Sequence, residues 1–352
     1  MPVRSQSSPS SFRGVLTVVL TLLGWSSVPL FLFHFSKSID FWTSNGWRYG
    51  FSAILWLPVV LAVTVRGRLP RGLWAAAIVP SVANSLGQVC FTWAHYEISP
   101  GLLSFGLRSQ LVFVAIGAFL LFPAERAVIR RAGYLAGLAL LVAGTAAVLA
   151  SGVLELAGDG GDRHVQARAG LHAPMLGVVL AVGSGMLFAA YGLSVRKFMA
   201  GYHPVLAFAA ICQYTGLSMV LLMLAFGSPC ADGAFAGLRG MMALQLPAEQ
   251  LLYLLLSAVI GIALGHVFYY ISIANLGVAV TAGVLQLQPF IVALAQLWIF
   301  GEALTSMQWL GGAVAVLGAM LMLRTQQRAV AVGRDAALRA DAELRAEAES
   351  GA

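Results

Sequence analysis

Apolar residues in this chain come in long runs, separated by short polar breaks that hold most of the charge. Ten runs of about 17–24 residues are long enough to cross a bilayer as helices. They fall at Val15–Phe33, Gly46–Val65, Leu73–Ala94, Ser99–Phe122 and Tyr134–Ala150, then at Met175–Val195, Val205–Phe226, Leu251–Ile273, Val278–Phe300 and Met307–Leu323. In hydrocarbon every backbone donor and acceptor must be bonded within the chain, so runs of this length predict helices. The fold class is an all-α integral membrane protein with ten transmembrane helices. The first run follows Arg4 and Arg13 but shows no small-x-small cleavage site, which predicts a retained first helix.

Two stretches share a plan. Ile98–Glu125 and Leu276–Glu302 are both long and apolar with a few central polar residues, and Leu86–Phe122 aligns with Leu264–Phe300 without a gap. LGQV at Leu86–Val89 meets LGHV at Leu264–Val267, Gln110 meets Gln288, and Arg108 meets Gln286. With a little slippage Glu125 meets Glu302, and Gly137 and Gly144 meet Gly311 and Gly318. Such self-similarity marks an internal repeat. Five helices per half is an odd number, so the second half enters the membrane upside down. The expected organisation is a cytoplasmic segment 1–14, a five-helix repeat 15–150, an extracytoplasmic loop 151–174, an inverted five-helix repeat 175–323 and a charged cytoplasmic tail 324–352.

Composition sharpens this picture. The 352 residues are 59% hydrophobic and 10% charged, against about 25% charged in soluble domains. The net charge of +7 sits mainly between apolar runs, where topology explains it, and predicts no nucleic-acid partner. With the N-terminus inside, the inner segments hold Arg66, Arg68, Arg71, Arg126, Arg130, Arg131, Arg196, Lys197, Arg324 and Arg328. The outer ones hold only Lys37, Arg163, Arg168 and Arg239. The positive-inside rule therefore places both termini in the cytoplasm of a cell that carries the protein in its plasma or inner membrane. The repeat agrees: the arginines that follow the fourth helix have no basic counterpart after the ninth. Cys90, Cys212 and Cys230 show no metal or redox spacing. His164 and His172, near Asp159 and Asp162, match no standard metal site. No metal or cofactor is expected.

Four segments bring a family to mind. LLGWSSV at Leu22–Val28, WRYGFSAILWLPVVL at Trp47–Leu61, PFIVALAQLWIFGEAL at Pro289–Leu304 and WLGGAVAVLGAML at Trp309–Leu321 stand in order over residues 14–324. The pattern resembles the EamA-type, ten-helix branch of the drug/metabolite transporter superfamily. The first repeat has Phe122-Pro123-Ala124-Glu125 where that family shows Gly-Glu, and Phe31 and His34 stand where it has a basic residue. The resemblance implies a secondary transporter of amino acids or related metabolites.

The candidate site follows from the intramembrane polar residues. Arg108 lies about 13 Å along a helix that starts at Ser99, near mid-bilayer at 1.5 Å per residue. Placing it there costs on the order of 3 kcal/mol on insertion scales, and intramembrane charges mark functional sites by default. The ten runs contain no Asp or Glu, so its partners are water, carbonyls, hydroxyls such as that of Ser104, or an anionic ligand. The alternative is a structural arginine tied to backbone carbonyls. Arg48, three residues into the second run, either joins the site or snorkels to the interface. Gln88 and His266 are repeat mates, as are Gln110 and Gln288, so each pair can face one cavity from opposite sides. Gln286, Gln213 and Tyr270 complete the candidate set, with interhelical hydrogen bonding as the alternative role of each amide. His266 is a proton relay or a satisfied core histidine. Pro289 deprives the Leu285 carbonyl of its usual donor and predicts a kink in the ninth helix. The pairs Gly133/Gly137 and Gly261/Gly265 fit close helix packing within one chain, with a homodimer as the alternative use.

Inverted repeats and a polar midplane predict transport of a small polar metabolite by alternating access, with export as the expected direction. The partners are then a small-molecule substrate and the lipid bilayer. A cation or multidrug exporter of the same fold would gain from a membrane-embedded carboxylate, and the runs hold none. A membrane enzyme should show clustered nucleophile, acid/base or metal groups, which are absent, so no catalytic residue is expected. A non-transporting scaffold predicts a closed, dry centre around Arg108.

Overall fold

The computed structural model describes residues 12–158 and 174–350. The proposed outer-loop histidines His164 and His172, with Asp159 and Asp162, lie outside the described residues, as does most of the N-terminal segment. The described chain forms ten helices long and apolar enough to span a membrane: α1 Phe12–Phe35, α2 Phe41–Val65, α3 Leu73–Glu97, α4 Pro100–Leu121, α5 Ala132–Leu154, α6 Met175–Phe198, α7 Pro204–Phe226, α8 Ala248–Ile273, α9 Val280–Phe300 and α10 Ser306–Val332. All ten expected runs are found, several lengthened at their ends. The last helix continues unbroken to Ser350, so the charged tail prolongs α10. The outside of the bundle is apolar, with Trp298 86% and Leu310 68% exposed, as suits a lipid solvent and not water.

The start of α2 shows why one boundary moved. Asp40 caps the helix, accepting from the Thr43 backbone N at 2.9 Å and from its hydroxyl at 2.6 Å. It also accepts from the Ser228 N at 2.9 Å, tying the α1–α2 turn to the loop after α7. Capping of this kind satisfies orphan N–H groups of the first turn. It starts the helix at Phe41, five residues before the apolar run begins.

Helix packing crosses between the two halves of the chain. α3 lies along α6 and α1 along α8; α4 leans on α6 and α9 on α1; α2 pairs with α7, and α5 with α10. The α5–α10 contact is very close. A Cβ on Gly144 would stand 2.5 Å from the Gly311 carbonyl, and one on Gly318 would stand 2.5 Å from the Gly137 carbonyl. Only glycine allows backbones to meet this way. Gly133 faces Thr325, and Gly261 and Gly265 face Val28 and Trp25. Both GxxxG pairs are thus used within the chain.

Three of the helices are interrupted at mid-membrane. α4 consists of Pro100–Gly106, a 3-10 turn at Leu107–Ser109, and Gln110–Leu121. α9 breaks after Leu285 and resumes at Gln288. The expected kink is there, but Pro289 sits in the first turn of the second segment, where its missing N–H costs nothing. α8 winds through a π-turn at Val259–Leu264. The breaks in α4 and α9 coincide in the repeat alignment, at Arg108 and Gln286.

Ten crossings put the ends of α1 and α9, near Lys37, on one face and the ends of α4 and α6, near Arg196, on the other. At the Lys37 face the first segment of α4, all of it buried, packs on the second segment of α9. Gly101 N donates to the Gln296 side-chain oxygen at 2.6 Å. Around this contact Leu32, Ile98, Leu103, Phe105 and Ala293 form a buried core. At the Arg196 face no hydrogen bond joins the other two segments among the described residues, and a side chain at Gly283 would meet open space. Among the described residues the hydrogen bond between α4 and α9 at their ends is thus at the Lys37 face.

Candidate functional site

The breaks in α4, α8 and α9 open onto one cavity of about 310 Å³. Discontinuous helices release backbone groups and aim side chains inward, the arrangement transporters use at the midplane. α4 contributes Arg108 and Gln110, and α9 contributes Gln286 and Gln288. Arg48, Asn84 and Gln88 enter from α2 and α3, and His266 from α8. The rest of the wall mixes aliphatic residues with the aromatic Trp25, Tyr49, Phe91, Phe188, Tyr191 and Tyr269. Among the described residues no acidic side chain lines it.

Arg108 is only 9% exposed. Its Nη2 donates to Gln288 Oε1 at 2.9 Å, its Nη1 to Gln286 Oε1 at 3.3 Å, and its Nε to the Ser104 carbonyl at 3.4 Å. Both glutamines are held in that orientation. Gln288 donates its amide N–H to the Trp25 carbonyl at 2.9 Å, and Gln286 donates to the Ala282 carbonyl at 3.3 Å. Trp25 is fixed in turn by its indole N–H, which donates to the Gly261 carbonyl at 3.1 Å, a carbonyl within the π-turn. Arg108 therefore bridges α4 to α9 through Gln286 and Gln288, and within α4 it bonds the Ser104 carbonyl and not the hydroxyl considered from sequence.

Arg48 does not snorkel to the interface. It is 1% exposed, and its Nε donates to Ser257 Oγ at 2.9 Å across to α8. Ser257 spends its own proton on the Leu254 carbonyl at 2.7 Å, so its oxygen is free to accept. Asn45, one turn before Arg48, ties α2 to α3 by accepting from Thr92 at 2.8 Å and donating to the Gln88 carbonyl at 3.3 Å.

The other sequence candidates divide. The side-chain amides of Gln88 and Gln110 line the cavity and make no hydrogen bond among the described residues. His266 also lines it, with its Nδ1 2.9 Å from the Ile262 carbonyl and its ring stacked on Phe208 at 4.4 Å. That contact fixes the ring in the manner of a satisfied histidine. Gln213 and Tyr270 stand outside the lining. Gln213 donates to the Ala53 carbonyl at 2.9 Å, joining α7 to α2, and Tyr270 packs on Phe208. Sequence reasoning missed Trp25, Tyr49, Phe188 and Tyr191. An aromatic residue in an apolar helix carries no mark of facing a cavity, although Trp25 lies inside the LLGWSSV segment.

No three potential ligands among His, Cys, Asp and Glu cluster among the described residues.

Residues 175–324 match the EamA-like transporter family. With the ten spans, the second half of the chain is thus similar to that family. The EamA match covers the second five-helix half, where Gln286, Gln288 and His266 lie. A solved structure, titled only "Crystal structure of protein", aligns with 90% of this chain and 98% of its own at a TM-score of 0.54 and 16% identity. At that identity the likeness speaks for the fold alone. No curated protein matches the chain. EamA-like proteins are transporters of the drug/metabolite superfamily, and this chain is a multi-pass membrane protein whose second half resembles them.

Proposed function

We propose that this protein is a secondary transporter that carries a small organic anion through the cavity around Arg108 by alternating access. One observation carries the reading: the cavity holds two buried arginines and no carboxylate. Buried charges need partners, and among the described residues Arg48 and Arg108 have only neutral ones. A guanidinium fork suits a carboxylate, and Gln88 and Gln110 offer amides for other polar groups of the solute. The same balance disfavours a cation or multidrug exporter, which would have to bring positive charge beside two arginines.

Three features support alternating access. The contacts α3–α6 and α8–α1, like α4–α6 and α9–α1, exchange under the expected repeat, while α2–α7 and α5–α10 are self-paired. The reciprocal glycine contacts, Gly144 with Gly311 and Gly137 with Gly318, exchange in the same way. The ends of α4 and α9 are joined at the Lys37 face by Gly101 and Gln296, and among the described residues no hydrogen bond joins them at the Arg196 face, which we read as the open one. By the positive-inside rule the Arg196 face is cytoplasmic, so the cavity of this state loads from inside, as an exporter requires.

Liposome uptake of labelled carboxylates tests the reading. Wild type should accumulate at least one carboxylate faster than protein-free vesicles, and Arg108→Gln should lose most of that rate while inserting stably. Normal carboxylate uptake by stably inserted Arg108→Gln would overturn it.

A further inference from the structure

The two arginines differ in how much of each guanidinium the protein already uses. A guanidinium has five N–H donors. Arg108 spends three of them, on Gln286, Gln288 and the Ser104 carbonyl. Arg48 spends one, on Ser257, so its four terminal N–H donors have no protein acceptor among the described residues although the side chain is 1% exposed. Gly261 keeps the approach open: a Cβ there would stand 3.8 Å from an Arg48 terminal nitrogen and 2.3 Å from Val28. The less conspicuous arginine is thus the less satisfied one.

Their placement invites a single ligand. Arg48 lies seven residues into α2 and Arg108 eight residues into α4, both counted from the Lys37 face. At 1.5 Å per residue, both sit roughly 10–12 Å deep. Both line the same cavity. The one ion pair among the described residues, Arg196 with Glu125, is at the membrane edge and neutralises neither.

We propose that the cavity takes a small organic dianion, with one acidic group on the open terminal N–H donors of Arg48 and the other on the remaining donors of Arg108. This rests on the anion-transport reading above and narrows it. A monoanion would compensate one guanidinium and leave the other buried beside neutral groups, where an unpaired charge is costly. A dianion compensates both at once. Ser257 is the positioning residue, since it fixes Arg48 through Nε and leaves the terminal nitrogens facing the cavity.

The test uses a charge series on one skeleton: succinate, succinamate and succinamide, carrying two, one and no negative charges at pH 7.5. Glutarate and adipate, with their mono- and diamides, cover longer spans between the two cations. Binding to the purified full-length protein is followed by thermal shift and by fluorescence from Trp25 in the cavity wall. For the best-fitting chain length the diacid should bind at least about tenfold tighter than its monoamide, a factor that corresponds to about 1.4 kcal/mol. Arg48→Gln should bring that ratio towards one, Arg48→Lys should restore part of it, and Ser257→Ala should lower it. The wild-type series keeps the proposal testable should Arg48→Gln fail to insert. Diacid and monoamide binding within about twofold of each other, both above the diamide, overturns the dianion and leaves anion transport standing. Diamides binding as well as acids overturn both readings, and no binding by any diacid overturns the dianion.

Discussion

Arg108 and Gln286, which occupy matching positions in the two halves of the sequence, touch each other: Nη1 of the arginine donates to Oε1 of the glutamine at 3.3 Å. Under the proposed inverted repeat, mates meet only near the axis that relates the halves, where a transporter of that design is expected to hold its solute. Gln286→Glu would set a carboxylate against Arg108 and fill the role of a bound anion. The variant should fold with unchanged or raised thermal stability and lose carboxylate uptake by tenfold or more, because the added charge removes the need for a ligand. Gln288→Ala acts differently. It deletes the 2.9 Å acceptor of Arg108 and the donor to Trp25, and should cost about 1–3 kcal/mol of stability, the usual range for unpaired buried polar groups.

Closure of the Lys37 face rests on one polar contact inside an apolar seal, that of Gly101 with Gln296. The amide nitrogen of Gln296 is buried without a partner, so the closed state carries a desolvation cost that an open state relieves. Gln296→Ala should shift the population towards opening at this face. Labelling of Leu103→Cys by a membrane-impermeant maleimide added from the Lys37 side should then speed up severalfold. Gly101→Ala should act in the same direction, since its Cβ would stand 3.0 Å from the Gln296 amide. Unchanged labelling in both variants would show that the apolar seal alone sets closure.

Two carboxylates at that face respond to acid in opposite ways. Burial pushes the Asp40 carboxyl up, but the hydrogen bonds from Thr43 and Ser228 outweigh it and hold the group below the usual carboxylate range. Its stabilisation is present above the unfolded value of about 3.9 and is lost as pH falls through the lower folded value. Asp40→Ala should cost about 1 kcal/mol or more at pH 7, as lost helix caps do, and less in strong acid. For Glu302 burial raises the pKa, and Lys37 opposes it without cancelling it. Its contribution is present below about 4.3 and is lost as pH rises through the higher folded value. Glu302→Gln should therefore raise the melting temperature at pH 7 and leave it unchanged near pH 4. Melting curves of both variants from about pH 2 to 8 check these signs.

The α5–α10 seam predicts the largest stability effect. Gly144→Ala would put a Cβ 2.4 Å from the Ala315 backbone N, and no side-chain rotation relieves a clash with backbone. The two helices must part, at a cost of about 1–3 kcal/mol or more, as for other overpacked sites. Neither helix lines the cavity, so the protein that still folds should keep its ligand preference. Detergent stability by size-exclusion chromatography, measured beside ligand binding, separates the two effects.

Much of this was legible in the residues. Run length and the lack of internal charge fixed ten helices, because the bilayer leaves no other solution for such runs. Arg108, Gln286 and Gln288 stood out because polar residues are rare at that depth, and seven of the nine candidate residues line one cavity. Arg48 was harder to judge. Its distance from the end of an apolar run equally suits a snorkelling side chain, and only the three-dimensional position of Ser257, 209 residues away in sequence, turns it inward. Gln213 looked like a cavity residue for the opposite reason, since an amide that ties α7 to α2 has the same sequence signature as one that faces a solute. The Asp40 cap escaped because it lies outside the apolar run that defined the helix.

The π-turn of α8 makes the hold on Trp25 a matter of residue count. Each residue of a helix turns the chain by about 100°, and a π-turn holds one residue more than ordinary winding would over the same stretch. Ser257 stands just before this turn, at Val259–Leu264, and His266 and Tyr269 stand just after it on the cavity wall. Loss of a single codon between these points would leave every side chain on the wall intact in kind. It would return the stretch to ordinary winding, so Ser257 and His266 keep their faces while the Gly261 carbonyl is drawn from Trp25 back into the helix. The hold on Trp25, and through its carbonyl on Gln288, is thus written in the spacing of α8.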